Sequence, residues 1–306
     1  MKTKSRLFVA LDVLLIIMMI LPLAVAIGIK VLITPPSEGI NIAGARIIYT
    51  FDNMPIQPLV ITESQVNSWL IIISIFSLCL YFTHGIKVKA DTKRQHALEW
   101  IVEKCDGLVG QNMGEYFAAF SPFIASIIAL SAFSSLMCLF GLFPPTSDIN
   151  IVGGWALLVF ILITYYKLKC GPWHYIKGFA EPIVILAPMN LISEIATPVS
   201  MAFRHYGNVL SGTVISVLVT TGLQGLSNIL LGWLPGFLGE FPFLQIGIPA
   251  VLSAYFDVFS SCLQAYIFAM LTMMYVSGAF PAEDYFKRKE KKKNKKITTK
   301  EKLEVI

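Results

Sequence analysis

The 306 residues read as an all-α polytopic membrane protein with about six membrane helices, on three observations. Hydrophobic residues make up 56% of the chain and charged residues 14%, with a mean hydropathy of +0.70. That leaves too little polar surface for a water-soluble fold. Uncharged runs long enough to cross about 30 Å of hydrocarbon, which takes about 20 helical residues, recur along the chain. Finally, 21 of the 24 Lys and Arg residues fall in four clusters, at residues 2–6, 87–104, 167–177 and 287–302. Loop-charge bias puts such clusters on the cytoplasmic side, so the chain is expected to start inside, cross six times and end inside.

Taken in order, residues 1–30 combine basic residues, an apolar run at 13–29 and the triplet "AVA" at Ala24 to Ala26, a mixture that suits a secretory signal. The run is long for a signal, and Lys30 and "TPPS" follow it, so an extra N-terminal membrane helix that is retained is the favoured reading. Residues 31–63 form an external segment interrupted by Pro35, Pro36, Pro55 and Pro58, read as a loop or short strands. The second span is residues 64–86, with Trp69 near the outer interface, where aromatic rings sit well. A charged loop with a helix-like stretch follows. The third and fourth spans, 116–147 and 149–166, make a hairpin around "FPPTSDINIV". There Pro144 and Pro145 stop one helix, and Ser147 or Asp148 caps the next.

Two longer apolar segments come next. From Pro198 a helical pattern reaches about Leu234, roughly 55 Å at about 1.5 Å per residue; the other runs from Pro249 to Phe280. Both exceed an upright crossing. They are expected to be strongly tilted, or, in the first case, broken at Gly222 and Gly225. Residues 64–280 thus make one helical domain and 281–306 a basic cytoplasmic tail. That tail, "KRKEKKKNKK" at its densest, lacks interleaved aromatics for base stacking, so nucleic acid is not an expected partner; anionic lipid is.

Nucleotide chemistry has no residues to rest on here. No GxxxxGK[ST] loop, GxGxxG or HExxH is present, and the five cysteines show no metal spacing. We therefore expect no cofactor and no metal. Internal repeats, which would favour a secondary transporter, are also absent.

What stands out is charge inside the apolar run: residues 182–282 contain only Glu194, Arg204, Glu240 and Asp257. An arginine in mid-membrane costs between about 3 and 17 kcal/mol, so it needs a partner or water. On a helix Arg204, Asn208 and Ser211 share a face, while Gly207 and Gly212 let another backbone approach. On the last helix Asp257, Ser260 or Ser261, and Gln264 make a matching polar stripe. Two readings fit this spacing. Arg204 pairs internally with Asp257 or Glu194 and holds the bundle together, as in a stand-alone channel or ion-coupled transporter; or Arg204 meets a carboxylate of another subunit on an ion path.

The stretch "PMNLISEIATPVSMAFRHYGNVLSG" resembles the signature region of subunit a of the membrane (Fo) sector of rotary F-type ATP synthases, E-x-x-x-P-x-S-x-x-x-R-[LH]-[FY]-G-N. "FDVFSSCLQAYIFAMLTMMYVS" is similar to the family's C-terminal motif, and "FSPFIASIIALSAFSSLMCLFGLFPPTSDINI" to its third helix and following turn. The resemblance covers about residues 61–278. It implies that Arg204 is the family's essential arginine, that Asn208 and Gln264 accompany it, and that Glu194 and Asp257 supply acidic sites on the ion path. Ser211 and Thr213 complete the rotor-facing set, Thr213 standing where other members carry histidine, glycine or an acid. His205 and Tyr206 replace the commoner Leu-Phe, and His205 is read as packing slightly ahead of relay.

The family further implies a stator subunit that is not itself catalytic for nucleotide chemistry. Its last two helices lie against a ring of c subunits and its partners include b-type peripheral-stalk subunits. Two half-channels carry H⁺ or Na⁺ to and from the ring carboxylates. Its home would be a bacterial plasma membrane.

Overall fold

A computed structural model describes residues 6–33, 44–51, 58–88, 92–169, 171–179, 184–231, 247–280, 282 and 285. Six helices in it are long and apolar enough to cross a membrane. They are α1 (Arg6–Ile33), α2 (Glu63–Thr83), α4 (Ser121–Leu136, extended at both ends by 3₁₀ turns), α5 (Ile149–Leu168), α7 (Ala187–Leu231) and α8 (Ile248–Ala279). Between them lie a hairpin of β1 (Ile47–Phe51) and β2 (Leu59–Thr62), the polar helix α3 (Lys93–Met113) and the short α6 (Pro172–Phe179). In hydrocarbon every backbone amide must bond within its own segment, which is why these apolar runs are helices; among the described residues the strands lie between α1 and α2.

Helix ends follow local chemistry. Thr62 and Gln65 form a capping box at the start of α2. Of the two cap candidates before α5, Asp148 acts, its carboxylate accepting from the Asn150 amide at 3.0 Å. Asp148 also accepts from Ser64 Oγ, and Asn67 Nδ2 donates to the Phe143 carbonyl at 2.8 Å, so the turn between α4 and α5 is tied to α2. Gly114 stops α3 at φ +79°, a conformation that favours glycine.

α1 packs along α2 with charged contacts at both ends. Asp12 lies 3.0 Å from His84 Nδ1 and 3.2 Å from Arg94 Nη1, and Lys30 lies 3.8 Å from Glu63. Phe8 stacks on His84 at 4.1 Å. The main core forms where α3, α4, α5, α7 and α8 meet, around Val109, Ile124, Val159, Met201, Phe268 and Met273. Lys169 covers one end of it, donating to the Tyr116 hydroxyl at 2.7 Å with its ammonium 4.8 Å from the Tyr166 ring centre. Burial alone would lower the pKa of Lys169, but the hydrogen bond and the surrounding phenols raise it.

α7 departs from the sequence reading. It begins at Ala187 rather than at Pro198, passes through that proline, and continues unbroken through Gly222 and Gly225. A proline removes one amide and frees one carbonyl, a loss that membrane helices tolerate where neighbours re-satisfy the backbone. The 45 residues span about 68 Å, more than twice the hydrocarbon thickness, so α7 fits a bilayer only when steeply tilted. The expected end near Leu234, Glu240, and most of the basic tail lie outside the described residues.

Candidate functional site

Along α7, Glu194 precedes Arg204 by ten residues, about 15 Å of helix. Arg204 is exposed on this chain, and among the described residues it makes no hydrogen bond or ion pair. What fixes its direction is its neighbour. His205 is fully buried: its Nε2 lies 3.2 Å from Ser131 Oγ of α4, and its ring meets Trp155 and Phe268 edge-on at 5.9 and 5.6 Å. About 100° of helix separates consecutive residues, so seating His205 inward turns Arg204 toward the outside of the bundle.

Neither acid that the sequence offered as an internal partner meets the guanidinium. Glu194 is only 5% exposed at its side chain and pairs with Lys167 Nζ of α5 at 3.1 Å. The same oxygen, Oε1, accepts from the Tyr175 hydroxyl of α6 at 3.1 Å, while Oε2 is buried without a partner. Burial, then the charge and hydrogen bond of Glu194, push the Tyr175 phenol up to about 12, so it remains a donor at neutral pH. Asp257 accepts from Ser253 Oγ on its own helix and faces the Cys138 thiol of α4.

Asn208 is one turn from Arg204 and joins α7 to α8. Its Nδ2 donates to the Ser260 carbonyl at 3.3 Å, and Ser260 Oγ donates to Asn208 Oδ1 at 2.9 Å. One turn further, a Cβ added to Gly212 would lie 3.1 Å from Phe256 Cβ; only glycine lets the two helices cross so closely. Ser211 and Thr213 are exposed on α7, their hydroxyls turned back to the carbonyls of Asn208 and Val209 at 3.1 and 3.0 Å. Gln264 of α8 is 6% exposed, and its amide makes no hydrogen bond among the described residues.

A π-helical stretch, Ala254–Ser260, interrupts α8. The sequence reading placed Asp257, Ser260 and Gln264 in one α-helical stripe. Within this i→i+5 stretch, which turns the chain less per residue, Asp257 faces Cys138 of α4 while Ser260 bonds Asn208 of α7. No proline or motif marks the π turn. It sits at the crossing with Gly212, against which Phe256 packs. Lys167 and Tyr175 were also missed, because Lys167 reads as one more member of a topogenic basic cluster and Tyr175 as an interfacial aromatic.

The acidic sites therefore fall on either side of Arg204. Glu194 lies toward the end of the bundle that carries Lys167 and the C-terminus of α8; Asp257 lies toward the opposite end, beside the last turns of α4.

The family model described as "ATP synthase A chain" matches residues 65–277, leaving α1 and the hairpin outside. ATP synthase subunit a of Desulforamulus reducens is 33% identical over 221 residues, covering 70% of this chain and 78% of that protein. Its counterpart in Geotalea daltonii is 30% identical over 231 residues, covering 72% and 91%. The protein of Propionigenium modestum described as "ATP synthase subunit a, sodium ion specific" is 27% identical over 242 residues, covering 74% and 76%.

Proposed function

The chain belongs to the ATP synthase A chain family, the ion-translocating stator of the membrane sector, and from that premise we propose that Arg204 is the fixed cation past which ring carboxylates move. One observation carries the reading: Arg204 is exposed on its own subunit while both nearby acids are engaged elsewhere, Glu194 with Lys167 and Asp257 with Ser253. A bare arginine in hydrocarbon is costly by at least about 3 kcal/mol. The carboxylate that offsets this cost comes from another chain, and a rotating ring of c subunits supplies one with every step.

The residues divide the work. An ion enters at one face of the membrane through a half-channel, neutralises a ring carboxylate, and leaves through the other half-channel after nearly a full turn. Arg204 attracts the emptied carboxylate and repels ions from the direct route between the half-channels. Asp257, with the Asn208 and Ser260 pair and the open amide of Gln264, lines the outer half-channel; Glu194 lines the inner one. Ser211 and Thr213 present hydroxyls to the passing ring. The face with Lys167 and the end of α8 is cytoplasmic, because the basic clusters lie there, and both termini are on that side. This orientation suits a bacterial plasma membrane. The transported ion is H⁺ or Na⁺, and b-type stalk subunits hold the chain against the torque. Moving one charge across 100 mV yields about 2.3 kcal/mol, so rotation is needed to sum several transfers for each ATP.

The test is ATP-driven ion pumping, with passive leak measured alongside, in liposomes that hold the assembled complex with Arg204→Ala. We expect pumping to vanish while the ring still copurifies. Pumping that survives in the assembled variant would make the arginine structural and overturn the mechanism.

A further inference from the structure

We propose that Lys167 and Tyr175 clamp one oxygen of Glu194 so that the cavity beside it becomes a weak cation transit site, with Lys167 setting how quickly the ion passes. The proposal rests on the reading that Glu194 lies on the ion path. The cavity, about 240 Å³ and open to one side, is lined at the ends of three helices by Ile163 and Lys167 from α5, Glu194 and Thr197 from α7, and Tyr275 and Ala279 from α8.

The geometry is asymmetric. An ionised carboxylate has two oxygens with about four acceptor positions between them. Here both strong donors, Lys167 Nζ and the Tyr175 hydroxyl, converge on Oε1 at 3.1 Å each. Oε2 is left buried and unpartnered. A side chain placed only to anchor helices would have both oxygens satisfied. This one keeps an unused acceptor in a side chain that lines a cavity large enough for water, so a small turn of the carboxylate brings Oε2 to it.

Charge then decides how tightly the ion is held. Lys167 neutralises Glu194, so a visiting cation meets a free lone pair but no net negative charge, and binds weakly enough to move on. Without the ammonium, the same carboxylate captures a proton or sodium ion firmly. The titratable groups around Glu194 are Lys167 on α5, Tyr175 on α6 and Tyr275 on α8; Lys169 is occupied at Tyr116. Lys167 is therefore a positioning residue that acts through Glu194, and removing its charge tightens the site and slows release together.

The experiment measures ATP-driven pumping by the assembled complex in liposomes as a function of H⁺, and separately Na⁺, on the cytoplasmic face. Lys167→Gln is expected to lower both the half-saturating cation concentration and the maximal rate by about threefold or more, and Lys167→Arg to restore both. In a Glu194→Gln background, Lys167→Gln is expected to change nothing further. A Lys167→Gln complex that matches the unaltered one, loses maximal rate with half-saturation unmoved, or keeps its full effect without Glu194 overturns the proposal. Glu194→Gln alone behaving as the unaltered complex refutes instead the placing of Glu194 on the ion path. Should Lys167→Gln fail to assemble, Tyr175→Phe removes the other donor of the clamp. It is expected to lower half-saturation in the same direction, and no shift there overturns the clamp.

Discussion

Replacing His205 by leucine separates a packing histidine from a relay. Among the described residues the imidazole makes one interhelical hydrogen bond, with Ser131 at 3.2 Å, and its Nδ1 is buried with no partner. Interhelical hydrogen bonds in membranes contribute about 0.6 kcal/mol on average and at most about 1.7. An unpaired buried polar group costs about 1–3 kcal/mol. His205→Leu removes both, and the Ser131 hydroxyl that is freed can turn to a carbonyl of its own helix. The net change in stability is therefore expected to lie between a loss of about 0.7 and a gain of about 2.4 kcal/mol. Ser131→Ala leaves the imidazole with both nitrogens unpaired and is expected to cost about 1–3 kcal/mol, a loss that adding His205→Leu should reverse. The assay is thermal inactivation of the purified complex, read beside ATP-driven pumping. An assembled His205→Leu complex that no longer pumps would refute the packing argument and make the imidazole part of the ion path. Ser131→Ala without loss of stability would refute the energetics.

Two further outcomes follow from the geometry. Gly212→Leu should weaken coupling or assembly severalfold, because the added Cβ already falls 3.1 Å from Phe256 Cβ; Phe256→Ala in the same chain should recover much of the loss, and no recovery would mean that the crossing is not what fails. Cys105 on α3 has its thiol pushed up by burial first and by the charge of Asp106 second, so less of it is thiolate at neutral pH. Its alkylation should be slow at pH 7.5, rise about tenfold per pH unit up to about 9, and quicken with Asp106→Asn; a rate that is flat across that range would contradict the shift.

Much of the architecture could be read from the residues in order. The six membrane helices follow from runs with no charge to solvate, since lipid offers a backbone no hydrogen bonds and leaves the helix as the only open-ended solution. Asp148 was visible as one of two caps, the segment before α2 was open to short strands or a loop, and the excess length of the two last helices was plain from counting. The start of α7 was misjudged because proline reads as a helix start in water, whereas within this bundle the helix continues through it.

At the candidate site the line between sequence and structure falls on pairing. The sequence by itself determined which groups are too polar for their surroundings: Arg204, Glu194, Asp257, Asn208 and Gln264 in a run with hardly any other charge. It could not determine whom they meet, because the distance between two helices is not encoded in the period of either one. Only the tertiary structure decided that Glu194 belongs to Lys167 and Tyr175, that Asp257 faces Cys138 from a π turn, and that buried His205 turns Arg204 outward. The physical reason is that a charge in a low-dielectric interior settles with whichever opposite group or hydrogen-bond donor packing brings within about 3 Å, and packing is a property of the assembled helices.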